Sequence, residues 1–423
     1  MAKGPKRTIV ENFAGINNVN AAERLEDNEL REAVNVDVDD TGRLASRGGY
    51  TKVYSGTNVH SFWSDQNLSL FVEDGTLKQL NPDFSATDLR TGVARFKPMA
   101  YEEINGDVYY SDTYLTGVIT SAGQAQPMST PTPPTRPVLV PSTGILPAGQ
   151  YGVTVTAVDA TGRESGAPPM EYITLTEGQA ITVSNLPSAL AGAALINVYC
   201  THVDGDVPYL AAQASVGTTS VVISTISSGA ACRTMNLIDM APGHILAEHA
   251  NRLYVAVDNF VFYSEPYMYG LRKITNFLAF PERVTMLAPA QDGMFISSDK
   301  LYHLFGTKPD EFGMSIKSEY PAIEGTAVKI NQKAFGEEGQ PGDVWIWLSG
   351  EGVVAGLMGG SYRNLTEGRY AVKNGAIGSG VFLQKNGKSQ YLSIVRAGDE
   401  EAENLYTTDV AVADIRRNGV IIT

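Results

Sequence analysis

The sequence repeats one hairpin pattern along most of its length. An alternating apolar and aromatic run is followed by a turn built on Asp, Gly or Asn, and then by a second apolar run. The pattern occurs at 70–80, 106–119, 251–265, 292–306, 342–357 and 389–406. Alternation with a period of two predicts β-strands, and turn residues between two such runs predict hairpins. Repeats decide the whole architecture, so their spacing is the strongest constraint on the fold.

The spacing of the hairpins predicts a β-propeller. The aromatic residues in the middle of each first strand are separated by 38, 145, 41, 50 and 46 residues; they are Phe71, Tyr109, Tyr254, Phe295, Trp345 and Tyr391. Removing an insert of roughly 105 residues (about 130–236) shortens the long gap to about 40, so that every gap approaches the length of a four-stranded blade. The sequence therefore predicts an all-β fold, a propeller of about six blades (five or seven as alternatives) with one inserted domain.

The insert itself predicts a β-sandwich behind a stiff linker. Six prolines lie between 127 and 141, and proline cannot join the interior of a sheet. About six or seven short alternating runs follow within about 100 residues, which suits a small sandwich. The run from Tyr151 to Val155, the turn Asp159–Gly162 and the Val198-Tyr199 pair resemble a fibronectin type III-like domain. The predicted domains are 1-125 and 239-423 for the propeller and 126-238 for the linker and sandwich.

The N-terminal region predicts a helix and a closing hairpin. Asn20 followed by Glu23 resembles an N-cap with a capping carboxylate, which favours a short helix within Ala21–Ala33. Alternating valines and a Gly42 turn predict a hairpin over 34–54. An open propeller would leave unpaired strand edges, so this hairpin is expected to pair with the C-terminal strand at 419–423.

Acidic and histidine residues were tested against metal and catalytic patterns. An EF-hand loop starting at Asp37, with Asp39 beside it, needs an acid at its twelfth position, which is Gly48, so a turn is preferred over calcium. His244 and His249 are five residues apart and fall on opposite faces of a strand; the other histidines are His60, His202 and His303. Asp112, Asp258 and Asp299 follow the first strands of their hairpins, where turn chemistry favours Asp.

The sequence contains no HExxH motif, sialidase Asp box or GxSxG elbow. Gly387-Lys388-Ser389 resembles the end of a P-loop, but Phe382 stands where its first glycine belongs. Trp63, Trp345 and Trp347 are interpreted as blade packing. The sequence therefore predicts no catalytic, cofactor-binding or metal-binding residue, no cofactor and no enzymatic activity.

Charge and cysteine content bear on partners and location. The formal net charge is −14, which disfavours a protein that grips nucleic acid but suits a wall past which DNA slides. The basic residues Lys3, Lys6 and Arg7 form a terminal arm that is expected to be solvated, with binding as the alternative. Cys200 and Cys232 are expected to be buried thiols. No signal peptide and no bilayer-spanning run is apparent, so the sequence predicts a soluble protein made in a cytoplasm.

Two phrases carry a resemblance to a known family. The first is the run 12–53, with Asn35-x-Asp37, Gly42-x-Leu44 and Arg47-x-Gly49; the second is Asn251–Tyr254 leading to Tyr263-Ser264-Glu265 and Pro266. Both resemble the tail hub or nozzle proteins, similar to packaged-DNA stabilisation proteins, of short-tailed bacteriophages. The resemblance covers roughly 1–125 and 240–423, and the sandwich insert departs from the simplest members.

The resemblance implies a structural virion protein of the phage tail. It implies a homo-oligomeric ring, commonly a hexamer, that contacts portal and adaptor proteins and tail fibres or a needle. DNA would pass through the lumen without sequence-specific binding, and the ring would help retain packaged DNA. Two alternatives stay open: a carbohydrate-binding or glycan-degrading propeller acting on a host surface, and a bacterial scaffold or adhesin propeller, against which the missing signal peptide counts.

Overall fold

The fold was obtained as a computed structural model that describes residues 12–34, 36–38, 42–49, 51–65, 67–331, 343–372, 376–385, 388–396, 408–416 and 419–422. Its regular structure is almost entirely β. Within the described ranges, helical turns are confined to three short 3-10 segments: Ala22–Arg24, Pro309–Glu311 and Met358–Gly360. None of the described segments forms a helix with the length and apolarity that crossing a bilayer requires.

Six four-stranded antiparallel sheets follow one another along the chain, here called sheets 1 to 6. Sheet 1 contains Val59–Ser64, Ser69–Glu73, Thr76–Leu80 and Ala86–Thr91. Sheet 2 contains Ala100–Ile104, Asp107–Ser111, Thr116–Ile119 and Ala125–Pro127. Sheet 3 contains Ile245–His249, Arg252–Val257, Phe260–Tyr263 and Phe277–Ala279.

The remaining three sheets have the same plan. Sheet 4 contains Met286–Ala290, Gly293–Ser297, Leu301–Phe305 and Gly313–Ser318. Sheet 5 contains Val328–Asn331, Asp343–Ser349, Gly352–Leu357 and Ser361–Asn364. Sheet 6 contains Ile377–Lys385, Lys388–Arg396, Thr408–Arg416 and Gly419–Ile422. In every sheet the strands pair in chain order, and five of the six predicted hairpins are the second and third strands. The sixth prediction, 389–406, contains only the second strand of sheet 6, because the third strand begins at Thr408 and residues 397–407 lie outside the described residues.

The fold is a β-propeller with an inserted sandwich. Consecutive sheets share hydrophobic clusters: one joins sheets 1 and 2, and others join 2 with 3, 3 with 4, 4 with 5, and 5 with 6. Sheets that pack face to face in chain order, each a four-stranded meander, define the propeller arrangement. The described residues contain six such sheets; the number of blades in a closed ring stays a prediction.

Most of the aromatic residues that set the repeat are buried, and Tyr254, Phe295 and Tyr391 lie in clusters that join neighbouring sheets. Phe71, Tyr254, Phe295 and Tyr391 are at most 2% exposed. In sheet 5 the fully buried aromatic is Trp347, whereas Trp345 is half-buried and donates its indole N–H to the carbonyl of Pro289 at 2.6 Å. Fully burying one such side chain contributes about 1.5–3 kcal/mol, which explains why the pattern recurs in every sheet.

The insert is a seven-stranded sandwich. Its three-stranded sheet contains Val138–Leu146, Gln179–Ser184 and Ser220–Ile223; its four-stranded sheet contains Glu171–Leu175, Gly149–Val158, Leu195–Thr201 and Pro208–Ser215. Inward residues of both sheets, such as Val153, Ile181 and Val198, form its core. Resemblance to fibronectin type III and the domain bounds stay predictions, and the strand Ala125–Pro127 crosses the predicted boundary between 125 and 126.

A short ribbon joins the sandwich to the propeller. Leu237–Asp239 pairs antiparallel with Leu271–Lys273. In sequence, Leu271–Lys273 comes between the third and fourth strands of sheet 3, which pair with each other. On the other side of the insert, the Thr130 hydroxyl donates to the Asp239 carboxylate at 2.6 Å. The two connections of the insert are therefore fastened to each other and to sheet 3.

Two N-terminal predictions are wrong. The helix within Ala21–Ala33 is absent: only Ala22–Arg24 forms a 3-10 turn, and Glu29–Leu30 pairs in parallel with Gly15–Ile16. The Glu29 carboxylate, which a helix would leave in solvent, accepts a hydrogen bond from the Asn17 side chain at 2.9 Å. A helix this short needs an apolar face packed on a partner, and here the segment buries little apolar surface.

The predicted closure is the second error. The hairpin forms as Val36–Val38 with Leu44–Ser46, but it makes a separate two-stranded sheet, and the C-terminal strand Gly419–Ile422 pairs with Thr408–Arg416 instead. Residues 39–41, which include Asp39 of the predicted turn, lie outside the described residues. The segment around Asn18 is held against the loop between sheets 5 and 6 by hydrogen bonds, as described below.

Candidate functional site

The histidines are dispersed among separate hydrogen-bond partners. His244 bonds the carbonyl of Val284 at 2.8 Å, and His249 bonds the carbonyl of Gly306 at 3.1 Å. Burial lowers the pKa of His244, so the neutral ring is favoured. Across the described residues, no three His, Cys, Asp or Glu side chains are grouped in a way that would hold a metal ion. His244 and His249 are therefore fold-supporting residues.

His303 packs inside the hairpin that carries it. Its ring lies 4.7 Å from the ring of Phe295, and only 3% of the residue is exposed. Its Nε2 has no hydrogen-bond partner among the described residues. Burial lowers its pKa, which is the expected response of an imidazole in an apolar setting.

The three repeated aspartates have different structural roles. Asp112 is fully buried and its carboxylate accepts backbone N–H groups from Ala94 at 2.6 Å and from Tyr114 and Leu115 at 2.9 Å. Asp258 adopts φ 53° in a hairpin turn, and Asp299 accepts the hydroxyl of Tyr302 at 2.8 Å. All three stand in turns, where Asp satisfies or tolerates local backbone geometry.

The Asp37 carboxylate, the candidate calcium ligand, is paired with Arg47. The Arg47 guanidinium lies 3.1 Å from the Asp37 carboxylate and also donates to the carbonyl of Val36 at 3.3 Å. A carboxylate engaged by a cation at the end of the neighbouring strand has less capacity to bind a metal ion. The Asp37–Arg47 pair instead joins the two strands of the N-terminal hairpin.

The cysteines differ from each other. Cys200 is fully buried in the sandwich, and burial raises the pKa of its thiol to about 12. Cys232 is only half-buried, so the prediction of a buried thiol is right for Cys200 alone. Both are free.

Glu102 is the acidic group with the most perturbed environment. It lies on the first strand of sheet 2, and its carboxylate accepts the backbone N–H of Glu248 in sheet 3 at 3.1 Å. The residue as a whole is half-buried, but its carboxyl group lies deep, and this burial raises its pKa to about 7 against smaller opposing effects of the Glu248 hydrogen bond and of Lys329. Lys329 itself pairs with Asp343 at 2.8 Å. Glu102 therefore titrates near neutrality between two sheets.

A cleft of about 670 Å³ opens between sheets 1 and 2. Its floor includes Val108 and Ile119, both buried, and its rim carries carboxylate, amide and hydroxyl groups from Asp65, Asn67, Gln79, Glu103, Thr120 and Ser121. One carboxylate oxygen of Asp65 accepts the backbone N–H groups of Asn67 at 2.7 Å and Leu68 at 2.6 Å. One carboxylate oxygen of Glu103 accepts the backbone N–H of Gly106 at 2.6 Å. The cleft thus offers mixed hydrogen-bonding groups above an apolar floor, a lining typical of sites for small polar molecules.

Several structurally decisive residues had not been predicted. Asn18 exchanges hydrogen bonds with Ala371, donating at 3.0 Å and accepting at 2.9 Å, and its N–H reaches the carbonyl of Arg369 at 2.9 Å. Ser111 and Ser297 end second strands and accept backbone N–H groups of Gly243 and Ala322, both at 2.8 Å. An aromatic-x-Ser spacing at the end of a second strand is the sequence signal that would have found the two serines.

Comparison with known proteins gives distant structural likenesses only. No family model matches the sequence, and neither does any curated protein. The chain is similar to the solved "Streptogramin B lyase structure", with 9% identity, coverage of 86% of this chain and 92% of that one, and a TM-score of 0.31. It is also similar to BBS1N in complex with ARL6DN, with 11% identity, coverage of 87% and 95%, and a TM-score of 0.34.

A third likeness is to PorZ, described as a surface component of the type-IX secretion system of Porphyromonas gingivalis, with 11% identity, coverage of 90% and 56%, and a TM-score of 0.25. At these identities and TM-scores, the matches give no information about activity or partners. The class of protein is defined by its own sheets: a β-propeller of four-stranded meanders that carries an inserted β-sandwich.

Proposed function

We propose that the chain is a structural subunit of a bacteriophage tail, a nozzle or hub ring that forms part of the DNA-ejection channel and helps retain packaged DNA. The observation that most supports this proposal concerns the two segments that resemble the family, 12–53 and 251–266. In each of them, residues of the resembling motif bond to one another. Asp37 pairs with Arg47 in the first phrase. In the second, Arg252 donates to the carbonyl of Ser264 at 2.6 Å.

The same two phrases are built from close backbone contacts. The Ser264 hydroxyl accepts the N–H of Leu253 at 3.0 Å, and the carbonyl of Gly42 accepts the N–H of Phe13 at 2.9 Å. Gly42 adopts φ 74°, and a Cβ there would meet the backbone of Asn12. Hydrogen bonds and close backbone contacts of this kind suit a structural protein, because a rigid ring subunit depends on its geometry more than on reactive groups.

The proposed partners follow from the ring. Copies of the chain would form a homo-oligomer, commonly a hexamer, between portal or adaptor proteins and fibres or a needle. DNA would pass through the lumen, where the net charge of −14 disfavours adhesion to phosphates. The sandwich would project outward, and the protein would be located in the virion tail and have no catalytic activity.

Electron microscopy of the purified full-length chain tests this proposal. Negative-stain images are expected to show ring particles of one symmetry, and light scattering is expected to give the mass of that ring. A chain that stays monomeric at all accessible concentrations and gives no ring particles would contradict the proposal.

A second candidate function is saccharide binding, which the cleft between sheets 1 and 2 favours. The side-chain amides of Asn67 and Gln79 make no hydrogen bond to any described residue, so both are available to a polyol in the cleft. A glycan array should then give saturable binding that Asn67→Ala and Gln79→Ala abolish. Asn81→Ala is the matched control, because the Asn81 amide bonds Ser85 and Thr87 in a nearby turn. No binding and no release of reducing sugar would remove this candidate.

A further inference from the structure

Arg272 is a buried cation without an ionic partner. It lies on Leu271–Lys273, the strand that pairs with Leu237–Asp239 beside the sandwich, and it is only 9% exposed. Among the described residues no carboxylate forms an ion pair with it. Glu265, the carboxylate nearest along the chain, is engaged by Arg252, Lys273 and the side chain of Asn276.

The guanidinium has unused hydrogen-bond capacity. Its Nη1 donates to the carbonyls of Lys273 at 3.1 Å and Ile274 at 3.4 Å. Its Nε is buried and has no partner among the described residues. Burial lowers the pKa of Arg272, and no neighbouring charge offsets that effect. A guanidinium presents its donors as a fork that matches the two oxygens of a carboxylate, so the missing partner is an anion of that shape.

One neighbour compensates part of this cost. The guanidinium carbon stands 4.3 Å from the centre of the Phe262 ring, a cation–π contact. Such a contact is favourable, but it is weaker than the cost of removing an ion from water. Arg272 is thus held in place by Phe262 while its charge stays largely uncompensated within one copy of the chain.

An exposed apolar surface surrounds Arg272. The rings of Phe260 and Phe277 are in contact at 5.8 Å, and Phe262 lies within 6.2 Å of both. Phe277 is 42% exposed and Ile274 is 71% exposed. Ile238 stands directly opposite Arg272 in the ribbon, so the two side chains share a face. We call Ile238, Phe260, Arg272, Ile274 and Phe277 the Arg272 patch.

We propose that the Arg272 patch is an interface for a second copy of this chain, which supplies a carboxylate to Arg272. Buried arginine surrounded by aromatic side chains is the composition of an interface hot spot. The charge of the chain favours the occupant, because 46 acidic against 32 basic residues give every copy an excess of carboxylates. Such a contact joins different surfaces of the two copies, which is how a closed ring is built. The inference rests on the proposed ring function and names its contact.

Arg272→Gln separates this role from a structural one. The variant removes an uncompensated charge, so the Tm of the monomer should be unchanged or higher, while self-association measured by sedimentation velocity should weaken by about tenfold or more. Arg136→Gln is the matched control; Arg136 is exposed and paired with Glu171 in the sandwich, and this variant should associate like the wild type. A lower Tm with unchanged association for Arg272→Gln would overturn the inference.

Arg272→Lys allows the partner group to be identified. Copies labelled with nitrogen-14 and nitrogen-15 are mixed, assembled and treated with a zero-length carbodiimide, which joins an amine to a touching carboxylate. Peptides that link the amine introduced at 272 to an Asp or Glu of the other isotope are expected. A link confined to one isotope would overturn the inference.

Inorganic phosphate tests whether the partner of Arg272 is a free anion. If phosphate raises the Tm of the wild type but not of Arg272→Gln, and no link between copies forms, Arg272 is a site for a free anion and the second copy is refuted as its partner. If the wild type assembles and Arg272→Gln assembles equally well, this inference fails and the ring function stands. If the wild type does not assemble at all, both fail.

Discussion

Replacing Asp112 distinguishes a structural aspartate from a reactive one. Its carboxylate is fully buried and accepts three backbone N–H groups, one of them from Ala94 on the segment that connects sheets 1 and 2. In Asp112→Ala these part-buried donors lose their acceptor. Hydrogen bonds to a charged group contribute about 1.5–3 kcal/mol each, but they are not additive. The expected loss of unfolding free energy is therefore about 3–5 kcal/mol, near the upper end for single substitutions.

The matched control is Asp258→Ala, because Asp258 also follows a second strand but its carboxylate accepts no hydrogen bond from a described residue; its backbone carbonyl, which accepts the N–H of Val284 at 2.8 Å, is kept in the variant. Its φ of 53° makes alanine unfavourable there by about 1–2 kcal/mol. Equilibrium urea unfolding, followed by tryptophan fluorescence and far-UV circular dichroism, measures both losses. Equal effects of the two substitutions, or an Asp112→Ala protein as stable as the wild type, would refute the assignment of Asp112 as a backbone-satisfying residue.

Three further substitutions test other parts of the fold. Glu102→Gln should remove a pH dependence of the unfolding free energy. The pKa of about 7 makes the native state hold the proton, so the stability present below about pH 4.5 falls as the pH rises to 7, by at most on the order of 3 kcal/mol. Urea unfolding at several pH values checks this, and the same dependence of the unfolding free energy on pH in the variant contradicts it. Asn18→Ala should lose about 1–3 kcal/mol and speed hydrogen exchange at Ala371; unchanged exchange would show that this contact is not formed. Ser297→Ala leaves the buried N–H of Ala322 unsatisfied and should cost about 1–3 kcal/mol in thermal unfolding, whereas Ser297→Thr should recover part of it if the hydroxyl is what matters.

The repeating hairpins were predictable because their signals are local. The second strands of sheets 1 to 5 are largely buried, and turn residues such as Asp258 and the Asp74-Gly75 pair, all with positive φ, follow such strands. The outer strands carry weaker signals. Gly313–Ser318 exposes Met314 and Ile316, and Ala125–Pro127 ends in proline, so neither stands out as a strand without its neighbours.

The N-terminal errors come from tertiary contacts that override local ones. Asn20 and Glu23 satisfy a capping pattern, but the segment has no surface on which a helix would pack, and Asn17 and Asn18 hold it extended instead. Pairing of the hairpin with the C-terminal strand was inferred from the need to avoid open edges. Asn18 ties the N-terminal segment to the loop at 369–371 by side-chain hydrogen bonds, which alternation patterns do not reveal.

Roles of single polar residues were the least predictable feature. Asp112, Asp258 and Asp299 have similar sequence settings, yet only Asp112 is fully buried and accepts three backbone N–H groups. Arg272 is one arginine among many in the sequence, and its lack of a carboxylate partner follows from how the ribbon packs on Phe262. Burial and pairing of this kind depend on residues distant in sequence, so composition and periodicity carry no signal for them.

The central claim is that this propeller works as a ring-forming structural subunit. The most direct measurement is electron microscopy of the native particle, with the protein located by a label fused to the sandwich insert. We expect a ring of identical copies around the DNA path, with the label on its outer side. A label found as single copies, or on no particle at all, would contradict the claim.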